Sequence, residues 1–112
     1  MDKIKKYQKV IIAFLEEYAK YPYQNMPEIE FQIIADRERN HFQLISIGWE
    51  QHKFIHDTIF HFDIKNEKIW VQKNATDMLV ADLLISEGVE REDIILGFIP
   101  FYARAYSDFA TA

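Results

Sequence analysis

The chain has 112 residues, a net charge of −5 and no cysteine. That length holds one domain, residues 1–112, and the acidic balance argues against gripping duplex DNA unaided, because neutralising phosphates with Lys and Arg supplies most non-specific affinity. Disulfides, thiolate catalysis and zinc–thiolate sites are excluded, and no apolar run reaches the roughly 18 residues of a membrane helix.

The hydrophobic fraction of 49% is ample for one packed core. A helix is expected over 2–20, where Ile4, Tyr7, Ile11, Phe14, Leu15 and Tyr18 form one stripe at spacings of three, four and seven. Asp2 is its expected N-cap, and Pro22 ends it. Lys3, Lys5, Lys6 and Lys9 crowd its start and Glu16 and Glu17 its end. This reverses what the helix dipole favours, so packing must hold the helix.

A strand near 29–35 places Ile29, Phe31 and Ile33 on one face. A charged turn, Asp36-Arg37-Glu38-Arg39-Asn40, leads to a second strand, Phe42–Trp49, apolar on both faces and so expected to be covered or central. Gly48 marks a bulge or a close approach. A long third strand spans 53–64, and Lys65-Asn66-Glu67-Lys68 turns into a fourth, Ile69–Gln72. Such short connections predict an antiparallel meander. A second helix is expected from about Asp77 to Glu87, capped by Thr76 or Asp77 and stopped by Gly88. A short extended segment, Ile94–Phe98, precedes Pro100. The tail is aromatic, and such a tail packs back on the core or docks on another subunit. The expected class is therefore α+β: N-terminal helix, four-stranded antiparallel meander, second helix and short C-terminal extended segment.

Chemistry is sparse. His52 and His56 share a strand face but stand roughly 13 Å apart, too far for one ion, and His61 has the opposite parity to both. No metal site and no cofactor are expected, and histidines on an exposed or interface face are the plainer reading. Asp63-Ile64-Lys65 resembles half of a nuclease motif that could pair with Asp36 or Asp57 to hold Mg²⁺, although three-residue patterns recur by chance. Gly48, Gly88 and Gly97 are the only glycines, so no phosphate-cradling loop exists. Ser46, Ser86 and Ser107 lack a nucleophile elbow, so no catalytic residues are assigned. The helix 1 lysines could touch phosphate, but a solvated face is the plainer reading. Trp49, Trp70, Tyr102 and Tyr106 could stack on bases, or anchor a core or a subunit interface.

Several blocks together resemble the XisI family, the fdxN-element excision controlling factors found mainly in cyanobacteria. They are Ile11–Tyr18, Asp36–Leu44, Gly48-Trp49, His61–Lys65, Lys68–Asn74, Thr76, Ala81-Asp82-Leu83, Gly88-Val89, Asp93–Phe98, Pro100 and Phe109-Ala110. One departure is Ile99, where many members are expected to have His before the proline. The resemblance implies a small α+β protein that controls excision of a DNA element by a site-specific recombinase, encoded beside a nuclease-like partner, an XisH-like protein. It transfers no catalytic residue. The leading expectation is a cytoplasmic, non-enzymatic factor that binds an XisH-like protein and forms a homo-oligomer. Its expected contact residues are Phe98, Phe101, Tyr102, Arg104, Tyr106 and Phe109, together with the exposed sheet face, because Arg amid aromatics has the composition of an interface centre. The alternatives are a metal-dependent nuclease using Asp63 and Lys65, or a direct DNA binder using Lys5, Lys6 and Lys9.

Overall fold

Alternation of apolar and polar residues builds a meander of four strands: β1 (Ile29–Asp36), β2 (His41–Glu50), β3 (Lys53–Lys65) and β4 (Lys68–Asn74). This is a computed structural model, and it describes residues 2–111. Each strand pairs antiparallel with the next. Turn chemistry sets the connections. Asn66 and Glu67 both have positive φ, 53° and 63°, as a two-residue type I′ hairpin requires. Asn40, at φ 63°, ends the longer β1–β2 turn, where an Asn tolerates the left-handed region. Gly48 marks a close approach: at φ 143° its missing Cβ would stand 2.1 Å from the Glu28 carbonyl oxygen.

The meander alone is not the sheet. The extended segment expected after Gly88 is a true strand, β5 (Ile94–Leu96), which pairs parallel with β4. The sheet is therefore five-stranded and mixed, in the order β1-β2-β3-β4-β5. A helical crossover brings the chain back in the same direction, which a short hairpin cannot do.

Helix α1 (Lys3–Ala19) lies on one sheet face, and the Asp2 carboxylate accepts the Ile4 and Lys5 amides as expected of its cap. Its buried stripe, Tyr7, Ile11 and Leu15, joins Phe42, Leu44, Phe60, Phe62, Ile69 and Val71 in one core. The rings of Phe14 and Tyr18 each meet Phe60 edge-on at 5.0 Å, a geometry worth about 0.5–1.5 kcal/mol beyond area burial. Two of the four misplaced lysines have partners. Lys3 Nζ stands 3.0 Å from Asp93 Oδ2, and Lys6 Nζ donates to the Gly88 carbonyl at 2.7 Å. The buried Tyr7 hydroxyl donates to Asp93 Oδ2 at 2.5 Å. Burial first, and then this hydrogen bond, push the Tyr7 phenol up to about 12.

The second helix, α2 (Val80–Ser86), starts later than expected and has no side-chain cap. Polar side chains hold the preceding backbone in bends instead. Asn74 Oδ1 accepts from the Thr76 amide and hydroxyl, its Nδ2 donates to the Met78 carbonyl, and Thr76 Oγ1 accepts the Met78 amide. Such local bonds compete with helix formation. The C-terminus behaves as expected. Gly88 at φ 103° lets its own amide reach Ile85 and the Val89 amide reach Leu84, the Schellman pattern, with Val89 buried beneath.

After β5 comes a short helix, α3 (Phe101–Arg104). The tail then packs back on its own fold. Ala110 forms a parallel bridge to Ile95, and Phe109 packs against the core with the Arg91 guanidinium 5.3 Å from its ring centroid.

Candidate functional site on the open face of the sheet

The strand period that turns Phe42, Phe62 and Val71 toward α1 turns their neighbours to the opposite face. There His41 pairs directly with Asp63, and Asp63 with Trp70. His41 Nδ1 lies 2.8 Å from Asp63 Oδ1, and His61 Nε2 lies 2.9 Å from the same oxygen. Gln72 Nε2 donates to Asp63 Oδ2 at 3.1 Å. A register shift in the β3–β4 pairing, between His61 and Phe62, leaves Gln72 as an extra residue on β4. Bulges of this kind re-aim side chains. Gly97 leaves room for this amide, since a Cβ there would stand 2.2 Å from Gln72 Oε1.

The Asp63 side chain is only 11% exposed, whereas the His41 side chain is 54% exposed. Burial alone would push the Asp63 carboxyl up. The hydrogen bonds from His41, His61 and Gln72 outweigh it and hold the carboxyl below the usual carboxylate range. Beside this cluster, two cations approach the Trp70 ring. Lys65 Nζ is 4.5 Å and the Arg104 guanidinium 5.0 Å from its ring centroid. Arg104 is also tied to the tail by Nε donating to the Ile99 carbonyl at 2.9 Å and Nη1 to the Thr111 carbonyl at 3.3 Å.

These positions separate the expected site residues. The nuclease pairing does not assemble: Asp63 faces two histidines, and Lys65 is drawn to Trp70. Asp57 lies six residues along β3 from Asp63, roughly 20 Å away, and Asp36 is occupied by the Arg39 and Glu38 amides and the Arg39 side chain. Among the described residues, the one group of three or more His, Cys, Asp or Glu side chains spaced to share an ion is His41, His61 and Asp63. Pairing His52 with His56 missed it; both are exposed. For the DNA-binding alternative, Lys6 is engaged at Gly88, while Lys5 and Lys9 are exposed.

The six residues expected to bind a partner divide into three settings. Phe98 and Phe109 line a concavity of about 420 Å³ with Met78, Leu79 and Arg91. Arg104 adjoins Trp70, and its guanidinium also stands 5.9 Å from the Phe101 ring. Tyr102 and Tyr106 are 81% and 90% exposed. The sequence reading placed Met78 and Leu79 inside helix 2 and so did not count them as surface. The delayed helix start leaves both exposed. A second groove, of about 480 Å³, lies between α1 and α2. Its lining is mostly apolar, including Val10, Phe14, Tyr18, Met78 and Leu83, with Glu17, Ser86 and Glu87 as its non-aromatic polar residues. It offers no nucleophile–base pair.

The family model described as XisI protein matches residues 1–111. Among solved structures, an XisI-like protein from Anabaena variabilis ATCC 29413 is 41% identical, with a TM-score of 0.89, over 97% of this chain and 99% of that one. The fdxN element excision controlling factor XisI from the same organism is 26% identical, with a TM-score of 0.84, over 99% of this chain and 100% of that one. No curated protein matches. No helix among the described residues is long and apolar enough to cross a membrane.

Proposed function

The chain belongs to the XisI family, and on that footing we propose that it is an accessory factor controlling excision of a DNA element, acting through contacts with other proteins and not through catalysis of its own. The observation that carries this reading is the end-to-end likeness to the Anabaena excision controlling factor. The proposed partner is an XisH-like protein, and the proposed contact surface is the C-terminal aromatic segment. Two features support that surface. The segment is anchored through Arg104, Phe109 and Ala110, so Phe98, Phe101, Tyr102 and Tyr106 are presented on a fixed frame. Those four large rings are exposed, Phe98 sharing a concavity with Met78 and Leu79, and aromatic anchors of this type dominate binding energy at protein interfaces. Self-association through the same rings is part of the proposal.

Co-expression with an XisH-like protein, followed by co-purification and sizing, tests it. A stable complex is expected, weakened about tenfold or more by Tyr102→Ser with Tyr106→Ser. Turnover of DNA by the isolated chain with Mg²⁺, or tight duplex binding in physiological salt, would overturn it.

A further inference from the structure

We propose that His41, His61 and Asp63 form a binding site for one divalent transition-metal ion of the zinc class. This rests on the side-chain geometry and not on the partner-binding reading above. The donor set comprises two imidazoles and one carboxylate. Imidazole nitrogen suits Zn²⁺, Ni²⁺, Cu²⁺ and Fe²⁺, while Mg²⁺ and Ca²⁺ prefer all-oxygen sets.

The spacing fits. Metal–nitrogen and metal–oxygen bonds of about 2.0–2.2 Å place neighbouring ligands of one ion roughly 2.9–3.4 Å apart, depending on geometry. Of the two observed N···O separations, 2.9 Å lies at the short end of that span and 2.8 Å just below it, so a small outward shift of the His41 ring admits the ion, and all three donor atoms fall within 4.8 Å of one another. The rings can approach the ion by replacing the protons they now share with Oδ1. His41 is half-exposed and has room to settle onto it.

The support around the donors is what a metal site needs. Three adjacent strand positions, two on β3 and one on β2, fix the backbone. Gln72 holds Oδ2, so Oδ1 is turned to the imidazoles, and outer partners of this kind tune ligand orientation. Gly97 leaves the volume that Gln72 occupies. A buried carboxylate beneath two more exposed imidazoles also leaves the outer side of the ion open. Three protein ligands with an open position are the pattern of a reactive or bridging ion, whereas structural zinc is closed by four. The site therefore takes a bare ion plus water or a fourth donor from outside the chain.

The test uses the full chain with any affinity tag removed, stripped by chelator and titrated with Zn²⁺ by calorimetry. Co²⁺ serves as the absorbing stand-in. One ion per chain is expected. His41→Ala and His61→Ala should each weaken binding at least tenfold and remove the Co²⁺ visible bands, while His52→Ala with His56→Ala leaves both unchanged. His41→Ala alters an exposed side chain, so its loss of binding can be read in a folded protein, confirmed by an unchanged circular dichroism spectrum. Absence of saturable binding by the unsubstituted chain, survival of binding in His41→Ala and His61→Ala, or loss of binding in the His52/His56 variant would each overturn the site.

Discussion

The two faces of one sheet follow the same alternation and come to different ends. On the α1 side, β2, β3 and β4 contribute Phe42, Leu44, Phe60, Phe62, Ile69 and Val71, none more than 1% exposed. Area removed from water stabilises that side, and neighbours of similar size could substitute for one another. On the other side, the same strands contribute His41, His61, Asp63, Trp70 and Gln72, held in specific pairs. Hydrogen-bond direction and charge govern there, and no substitute has the same donors in the same places. One face is held by burial; the other is held by directed polar and cation–π contacts.

The comparison can be broken most forcefully from the core. Phe60→Ala removes the ring that Phe14 and Tyr18 both meet and should cost about 3–5 kcal/mol, read as a lowered denaturant midpoint. A loss below about 1 kcal/mol would mean that the α1 face is not the main source of stability. A smaller effect is expected at Tyr7→Phe, which removes one buried hydrogen bond to Asp93 but leaves Lys3 beside it. The loss should be about 1–2 kcal/mol. This variant also carries a pH signature. The folded Tyr7 phenol is raised to about 12 from an ordinary value near 10, so its stabilisation is complete below pH 10 and is lost as pH rises from 10 through 12. Thermal melts over that window should show a decline in the parent that is reduced in Tyr7→Phe. The smallest change is expected at His41→Ala on the open face, about 0.5–1 kcal/mol, because one half-exposed donor to Asp63 is lost while His61 and Gln72 remain. A large destabilisation there would blur the division between the faces.

Much of the core face could be read from the chain. Spacing located α1 and its buried Tyr7, Ile11 and Leu15, and alternation located four strands to within a residue or two at most ends. The fifth strand was harder, because three residues of Ile94–Leu96 carry no directional signal and only tertiary pairing makes them parallel. Helix α2 was placed too early because Asn74 and Thr76 captured backbone groups that a cap would have used. The open-face cluster was illegible for a specific reason. A regular two-residue hairpin at Gln51-His52 would set His41 opposite Phe62, on the wrong parity. The register shift between Leu44 and Ile45 moves His41 opposite Asp63, and a slip of one residue exchanges faces. Periodicity cannot reveal that shift.

The parallel placement of β5 has a kinetic consequence. The three hairpins close short loops and can zip early, whereas β5 must wait for the whole stretch 75–93 to be gathered, at a greater closure entropy. The rings beyond Pro100 are therefore assembled last. Amide exchange should show Ile95 and Ala110 unprotected well before Phe42 or Phe62.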